Sequence, residues 1–278
     1  MMKKILFITS TRIGDAVLST GILSYLLEKH PDARITVACG PLVESLFEGV
    51  PRLEKIIPLH KQSWNRHWIA LWRQVVRTQW DIVVDLRNSA VSRLIPARER
   101  YIYGNYVDKQ THKVSQNASV IGVSELLARP CLFLTPEQKA KAAELFPDGA
   151  PVLGVGPTAN WIGKTWPVEN FQTLIGRLIG EGGAFAGWRI AVFGAPREEE
   201  VAYHLYHHVP SDLRLDCIAK GTPGDAAACL ARCAMYIGND SGLMHTAAAA
   251  LIPTLGLFGP TNDREYGPFD DKTAVVRT

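Results

Sequence analysis

Residues 235–261 read MYIGNDSGLMHTAAAALIPTLGLFGPT. The stretch parses into strand, turn, helix, strand and loop. Met235-Tyr236-Ile237 is a short apolar run stopped by Gly238, and Asn239, Asp240 and Ser241 are turn and N-cap residues. Leu243 to Leu251 is small and apolar enough for a buried helix, ended by Pro253, and Thr254 to Phe258 is the next buried strand. A helix that begins at the carboxyl end of a parallel strand aims unpaired N–H groups and a positive dipole end at one point, which suits a phosphate or pyrophosphate. An ordinary cap on an Ala-rich core helix reads the same way, and His245 reads equally as a core histidine. The second glycine loop favours the ligand reading: Phe258-Gly259-Pro260-Thr261 ends its strand at the same sheet edge, where open α/β folds collect ligands.

Length and composition limit what surrounds this stretch. A chain of 278 residues is long enough for two domains, and 21% charged with 47% apolar residues describes a globular protein. Five cysteines form no CxxC pair, which points to reduced thiols in a cytoplasmic protein. The Lys pair and apolar run at the N-terminus are only about strand length, and no segment approaches the roughly 20 apolar residues of a membrane span. The net charge of +3 hides an asymmetry: residues 1–150 hold 20 Lys+Arg against 14 Asp+Glu, whereas 151–278 hold 10 against 13. The N-terminal half is the one prepared to meet an anionic surface.

In the N-terminal half, Lys4 to Thr9 reads as a buried strand. The loop Ser10 to Asp15 follows, then a helix from about Ala16 to His30 ended by Pro31. Strands at 33–38 and 53–59 continue a strand–helix rhythm that implies parallel strands with right-handed crossovers. Asp15, at a helix N-terminus on the ligand edge, is stabilised as the anion and suited to accept a proton from a hydroxyl; a plain first-turn Asp is the alternative. Arg12 beside it is placed to hold it or a substrate phosphate. Trp64, Trp68 and Trp72 are spaced by four, and such an aromatic stripe is expected in the core. The strand at 81–86 leads to Arg87-Asn88-Ser89 at the ligand edge, and Arg93, Arg98 and Arg100 read as a cluster suited to a multiply charged acceptor. Residues 105–117 lack apolar periodicity and read as a mobile loop over the acceptor, followed by a helix at 119–127. After an extended connector and a helix at 137–145, Pro147-Asp148-Gly149-Ala150-Pro151 is the expected domain boundary, giving domains 1–148 and 149–278.

The second domain restarts with a strand at 152–155 that empties into GPTANWIGKTWP, residues 156–167. Thr158 offers a hydroxyl and Lys164 a cation. Gly163-Lys164-Thr165 resembles the end of a nucleotide-triphosphate P-loop, but Thr158 stands where its first glycine belongs and Pro167 where its helix should run. A helix at 169–178, a strand at 188–193, an acidic helix start at Glu198-Glu199-Glu200, and a strand at 215–218 precede the opening stretch.

Four blocks in order, ITSTRIGDAVLST, DLRNSAVSRLIPARERYIYG, GPTANWIGKTWPVENF and IGNDSGLMHTAAAALIPTLGLFGPT, resemble glycosyltransferase family 9, the ADP-heptose:lipopolysaccharide heptosyltransferases. The resemblance implies a GT-B arrangement: two facing Rossmann-like domains with parallel sheets and a cleft between them, the first for the acceptor and the second for the nucleotide-sugar. It implies inverting transfer of a heptose from ADP-heptose to a lipopolysaccharide core acceptor, with no cofactor and no bound metal. Carried over by position, Asp15 is the general base and Thr158 and Lys164 hold the donor diphosphate, Lys164 assisting the leaving group. Asp240 contacts the donor sugar, and the turn Ser241-Gly242-Leu243-Met244 offers backbone amides to the pyrophosphate with His245 just behind. Arg12, Arg87, Arg93, Arg98 and Arg100 are the acceptor candidates. The partners expected are the nucleotide-sugar and an anionic glycolipid, with peripheral contact at the inner membrane surface, no nucleic acid and a monomeric state. Gly21 stands where many relatives have proline, expected to alter only helix packing, and the second domain is expected to be short at its C-terminus. A non-catalytic nucleotide-sugar-binding protein and a GT-B-type nucleotide-sugar epimerase are the alternatives; Asp15 and Lys164 together argue against loss of activity, and an epimerase has no need of a basic acceptor domain.

Overall fold

The computed structural model describes residues 2–277. The chain divides into two compact units, Met1–Thr135 and Pro136–Thr278. In the first, β1 (Lys4–Ile8), α1 (Ile13–Val17), α2 (Thr20–Lys29), β2 (Arg34–Cys39), β3 (Leu53–Pro58), α3 (Arg66–Val75), β4 (Trp80–Asp85), β5 (Ala97–Ile102) and α4 (Lys113–Val120) follow in order. The five strands are parallel, in the order β3-β2-β1-β4-β5. The second unit runs α5 (Pro136–Leu145), β6 (Val152–Gly156), α6 (Val168–Ile179), β7 (Arg189–Gly194), α7 (Glu199–His208), β8 (Arg214–Ile218), α8 (Pro223–Leu230), β9 (Met235–Asn239), α9 (Gly242–Ala249), β10 (Thr254–Phe258), α10 (Asp263–Tyr266) and β11 (Thr273–Arg277). Its six strands are also parallel, in the order β11-β10-β9-β6-β7-β8.

Both sheets therefore reverse direction of winding beside their first strand, between β1 and β4 in one and between β6 and β9 in the other. Loops leaving the carboxyl ends of those strands part to opposite faces and leave a crevice in each sheet. The central strands read as continuous apolar runs because both faces are covered by helices: Ile5, Leu6, Phe7 and Ile8 are all fully buried. One core gathers Leu6, Ile8, Val83, Leu71 and Val75 with Trp68 packed against it. In the second unit Leu153, Val155, Ile190 and Val192 meet Phe171, Ile175 and Leu205 from the flanking helices.

The division falls earlier than the expected 148/149. α5 packs on α8, Lys141 pairs with Asp225 at 3.2 Å, and the Arg232 guanidinium donates to the Phe146 carbonyl at 2.8 and 3.1 Å, so α5 belongs to the second unit. Arg189 donates to the carbonyls of Pro147 and Ala150, which makes the Pro/Gly stretch a braced turn into β6.

Four local expectations also change. The helix expected over 16–30 is broken, because the Ser19 and Thr20 hydroxyls bond the carbonyls of Ala16 and Val17 at 2.7 and 2.8 Å and separate α1 from α2. The segment 105–117 is tied down: α4 begins inside it, Gln116 bonds the Thr111 carbonyl at 2.9 Å, and buried Asn117 bonds the Leu18 carbonyl at 3.0 Å. The helix expected over 119–127 is instead the end of α4 and a 3-10 turn at Glu125–Ala128. That turn crosses α2 at Gly21, where a Cβ would lie 1.9 Å from the Ala128 carbonyl oxygen. Finally, the Trp stripe is not core: Trp68 packs inward, but Trp64 is 93% exposed and Trp72 37%. Among the described residues no helix is long and apolar enough to cross a membrane.

Candidate functional site

In the second unit three strand ends converge on one carboxylate. Asp240, just past β9, is buried, and its Oδ2 lies 2.6 Å from Lys164 Nζ of the loop after β6. Thr261, past β10, donates its hydroxyl to the same oxygen at 2.8 Å. Asn239 fixes the long loop at two points: its side-chain oxygen accepts from Trp166 N at 3.0 Å and its amide donates to the Pro157 carbonyl at 2.8 Å. The third loop comes close because residue 259 is glycine, where a Cβ would lie 3.0 Å from the Gly163 carbonyl. Arg277 of β11 holds that loop from outside, through the Gly259 carbonyl at 3.1 Å and an ion pair with Asp263.

Beside this carboxylate α9 begins. Ser241 is its extended N-cap residue and its side chain makes no cap hydrogen bond, so the first-turn amides of Gly242, Leu243 and Met244 and the helix dipole face an incoming anion. Met244 contributes only backbone there, since its side chain is fully buried and its sulfur would lie 2.6 Å from a Cβ at Gly256. His245 is buried edge-on to the Tyr266 ring, with centroids 6.4 Å apart. Tyr236 runs its ring up the sheet to this corner: Cβ atoms at Gly156 and Gly238 would lie 2.0 and 2.4 Å from its hydroxyl oxygen. Burial pushes the Tyr236 phenol up, partly opposed by the nearby Ser241 hydroxyl, although the two are not aligned as a hydrogen-bonded pair.

Thr158 is buried and donates to Glu198 Oε2 at 2.6 Å, and the same oxygen accepts from Ala195 N at 3.1 Å. Sequence reasoning assigned Glu198 only to an acidic helix start. The signal that marks it is an acid shortly past the second strand of a Rossmann-like unit, the position that meets ribose hydroxyls in dinucleotide folds.

In the first unit Asp15 is half-buried in the first turn of α1, with the Ser10 hydroxyl 3.4 Å from its Oδ2, and Arg12 is exposed at the N-cap. The loop after β4 is shaped by Asp85, a fully buried carboxylate that sequence reasoning passed over. It accepts from Arg87 N, Ser89 N and Ser89 Oγ at 2.8, 2.8 and 2.6 Å. This leaves Arg87 exposed, while Arg93 folds back to the Ser89 carbonyl at 3.0 Å and Asn88 Oδ1 at 2.7 Å. Burial and the Arg87 and Lys61 cations push the nearby His67 imidazole down, toward its neutral form.

The expected arginine cluster is not formed. Arg98 pairs with Asp81 at 3.1 Å, and Asp81 also accepts from Lys4 N, which places them at the amino edge of the sheet. Arg100 spends its guanidinium on the carbonyls of Ser92, Ile95 and Ala97. Parallel pairing of β4 and β5 is the cause: the crossover returns the chain to the opposite edge before Arg98, so only Arg12, Arg87 and Arg93 stay at the ligand edge.

A family model for glycosyltransferase family 9 (heptosyltransferase) matches residues 68–278, three quarters of the chain and all of the Asp240 corner. The chain belongs to glycosyltransferase family 9. Among curated relatives of this family, lipooligosaccharide heptosyltransferase 2 of Haemophilus influenzae is 26% identical, over 98% of this chain and 88% of its own length. The fold matches that of a family 9 glycosyl transferase from Veillonella parvula with a TM-score of 0.82, at 21% identity over 99% of this chain and 86% of that one. It matches E. coli heptosyltransferase WaaC with ADP with a TM-score of 0.76, at 19% identity over 99% and 93%. The protein is thus a family 9 glycosyltransferase built from two Rossmann-like parallel-sheet units.

Proposed function

We propose that this enzyme transfers a heptose or related sugar from ADP-heptose to a hydroxyl of a lipopolysaccharide core acceptor, with inversion at the anomeric carbon. The observation that supports it most is the Lys164–Asp240 pair beside the uncapped N-terminus of α9. A buried carboxylate is expensive without a partner, and here it positions a cation beside oriented amides, an arrangement suited to a departing diphosphate. The relatives are heptosyltransferases by name, and one solved neighbour is described with ADP.

In this reading the acceptor oxygen attacks the anomeric carbon and its proton passes to Asp15. The bond from that carbon to the diphosphate oxygen breaks on the opposite face, and the charge developing on ADP is met by Lys164 and the amides of Gly242, Leu243 and Met244. Asp240 has Oδ2 engaged by Lys164 and Thr261, so Oδ1 serves the hydroxyls of the donor sugar. In this reading Thr158 turns its hydroxyl from Glu198, which accepts it in the structure, to a phosphate oxygen of the donor, and Glu198 is then free to accept from the ribose hydroxyls. Arg12, Arg87 and Arg93 receive the anionic groups of the acceptor. The presence of Asp15 and Lys164 favours an active enzyme over a binding-only role, and the basic first unit favours transfer to an anionic acceptor over epimerisation.

Calorimetric titration with ADP, UDP and GDP, without added metal, tests the donor. Selective ADP binding is the expected result. Selective UDP binding would move the activity to another sugar, and absence of binding by all three would overturn the proposal.

A further inference from the structure

Two buried hydroxyls lie near the start of α9 without a hydrogen-bond partner among the described residues: the phenol of Tyr236, a side chain with 0% exposure, and the enclosed Oγ of Ser241. Burying a hydroxyl unpaired costs stability, and native interiors keep few such groups. Phenylalanine at 236 would fill the ring's place without that cost. Instead the fold makes room for the oxygen, since a Cβ at Gly156 or Gly238 would lie 2.0 or 2.4 Å from it. Tyr236 pairs with Gly154 in the sheet, and Gly238 with Gly156, so the ring carries its hydroxyl two residues nearer the carboxyl edge. There it comes up beside Ser241, the N-cap residue of α9. Serine at an N-cap ordinarily accepts from a helix amide, but this one makes no cap bond.

We infer that Tyr236 is a positioning residue for the donor diphosphate: its hydroxyl donates to Ser241 Oγ, and the Ser241 hydroxyl then directs its own proton to a phosphate oxygen at the start of α9. This deepens the proposed donor site and rests on that reading. The direction of the chain follows from the ligand. A phosphate oxygen only accepts, so Ser241 must donate outwards, and its oxygen is left to accept from behind, where the phenol stands. Burial pushes the phenol up, so it keeps its proton at neutral pH and serves as a donor. The Ser241 hydroxyl is close enough to oppose that shift, yet the pair is not aligned as it stands; rotation about the Ser241 Cα–Cβ bond supplies the alignment. Hydroxyls in series polarise one another, which makes the outer proton the better donor. The two unpaired groups thus find partners only when an anion reaches the helix end, and the stability they cost before that is returned as binding.

Calorimetric titration of the parent, Y236F, S241A and the double variant with ADP and with adenosine tests the inference without turnover. Y236F should weaken ADP binding about fivefold and leave adenosine binding unchanged, because adenosine carries no phosphate. Its thermal midpoint should stand at or above the parent's, since the change removes an unpaired buried hydroxyl. A role in packing alone would lower the midpoint and spare the affinity. S241A should weaken ADP binding at least as much as Y236F, and it breaks no cap bond. Adding Y236F to S241A should bring no further loss, because the phenol acts through the serine. Parent-like ADP affinity in Y236F, equal weakening of ADP and adenosine, or additive losses in the double variant would overturn the inference and leave the donor site standing. A parent that binds no ADP would remove the donor reading and this inference with it.

Discussion

The crevice between β1 and β4 and the crevice between β6 and β9 share a topology and treat charge in opposite ways. In the first unit, with 18 Lys+Arg against 11 Asp+Glu over 1–135, Arg12 and Arg87 stay exposed and Asp15 is half-buried. In the second, with 12 against 16 over 136–278, one lysine is held on a buried aspartate next to a helix end. The proposed diphosphate site sits in a net acidic unit because oriented amides and a single fixed cation act locally. A broad basic field suits a large, multiply charged ligand that is met over an extended surface. Under the proposed function, one unit recognises by placement and the other by field.

Asp15→Asn separates the two most sharply. Turnover should fall on the order of a hundredfold or more, with donor affinity nearly unchanged, as for loss of a general base; equal turnover in a steady-state assay would remove Asp15 from the chemistry. Lys164→Ala should weaken ADP binding about tenfold or more and also lower thermal stability, since Asp240 keeps only the Thr261 hydroxyl. An unchanged dissociation constant for ADP would contradict its role. Gly156→Ala should cost about 1–3 kcal/mol in denaturant unfolding by overpacking against Tyr236. In a Tyr236→Phe background that cost should shrink, because the next atom met is the ring Cζ at 3.0 Å; an equal cost in both backgrounds would place the strain elsewhere. The smallest effect belongs to the field: Arg87→Ala should raise the acceptor KM several-fold, on the order of one lost charge-assisted contact, while Arg98→Ala, at the opposite edge, should leave it unchanged. Equal responses from the two would dissolve the distinction between the sheet edges.

The central strands were legible because strands covered on both faces are continuous apolar runs, as in residues 4–8 and 81–86. Of the edge strands, β3 and β8 were legible and two were not: β5, ARERYI, and β11, TAVVR, are half-exposed and carry charge, and neither read as a strand. The polar stretch that contains the start of α4 hid a helix because Gln116 and Asn117 turn inward to satisfy backbone carbonyls, which leaves no apolar stripe. Spacing placed Trp68 and Trp72 on one helix but could not say which side faced solvent, and Trp64 precedes the helix altogether. At the site, glycines and cap residues at strand ends marked the loops after β6, β9 and β10. What joins those loops was invisible: the Thr261–Asp240 and Thr158–Glu198 bonds link residues 21 and 40 positions apart, a matter of which strand ends are neighbours. The same holds for Asp85, whose strand-like context concealed the three donors that it organises.

Tyr236 lies across two strands that lack side chains at the places its ring passes, and its hydroxyl ends beside the cap of α9. A phenol ring that turns about its own axis sweeps more volume than one at rest, and in a close-packed interior the surroundings must dilate to let it pass. Here the atoms that must retreat include the backbone of β6 and β9, the two strands that define the crevice. Ring flips of Tyr236 should therefore be slow, with separate proton resonances for the two edges of the ring. Their rate would serve as a clock for how often the floor of the Asp240 corner breathes.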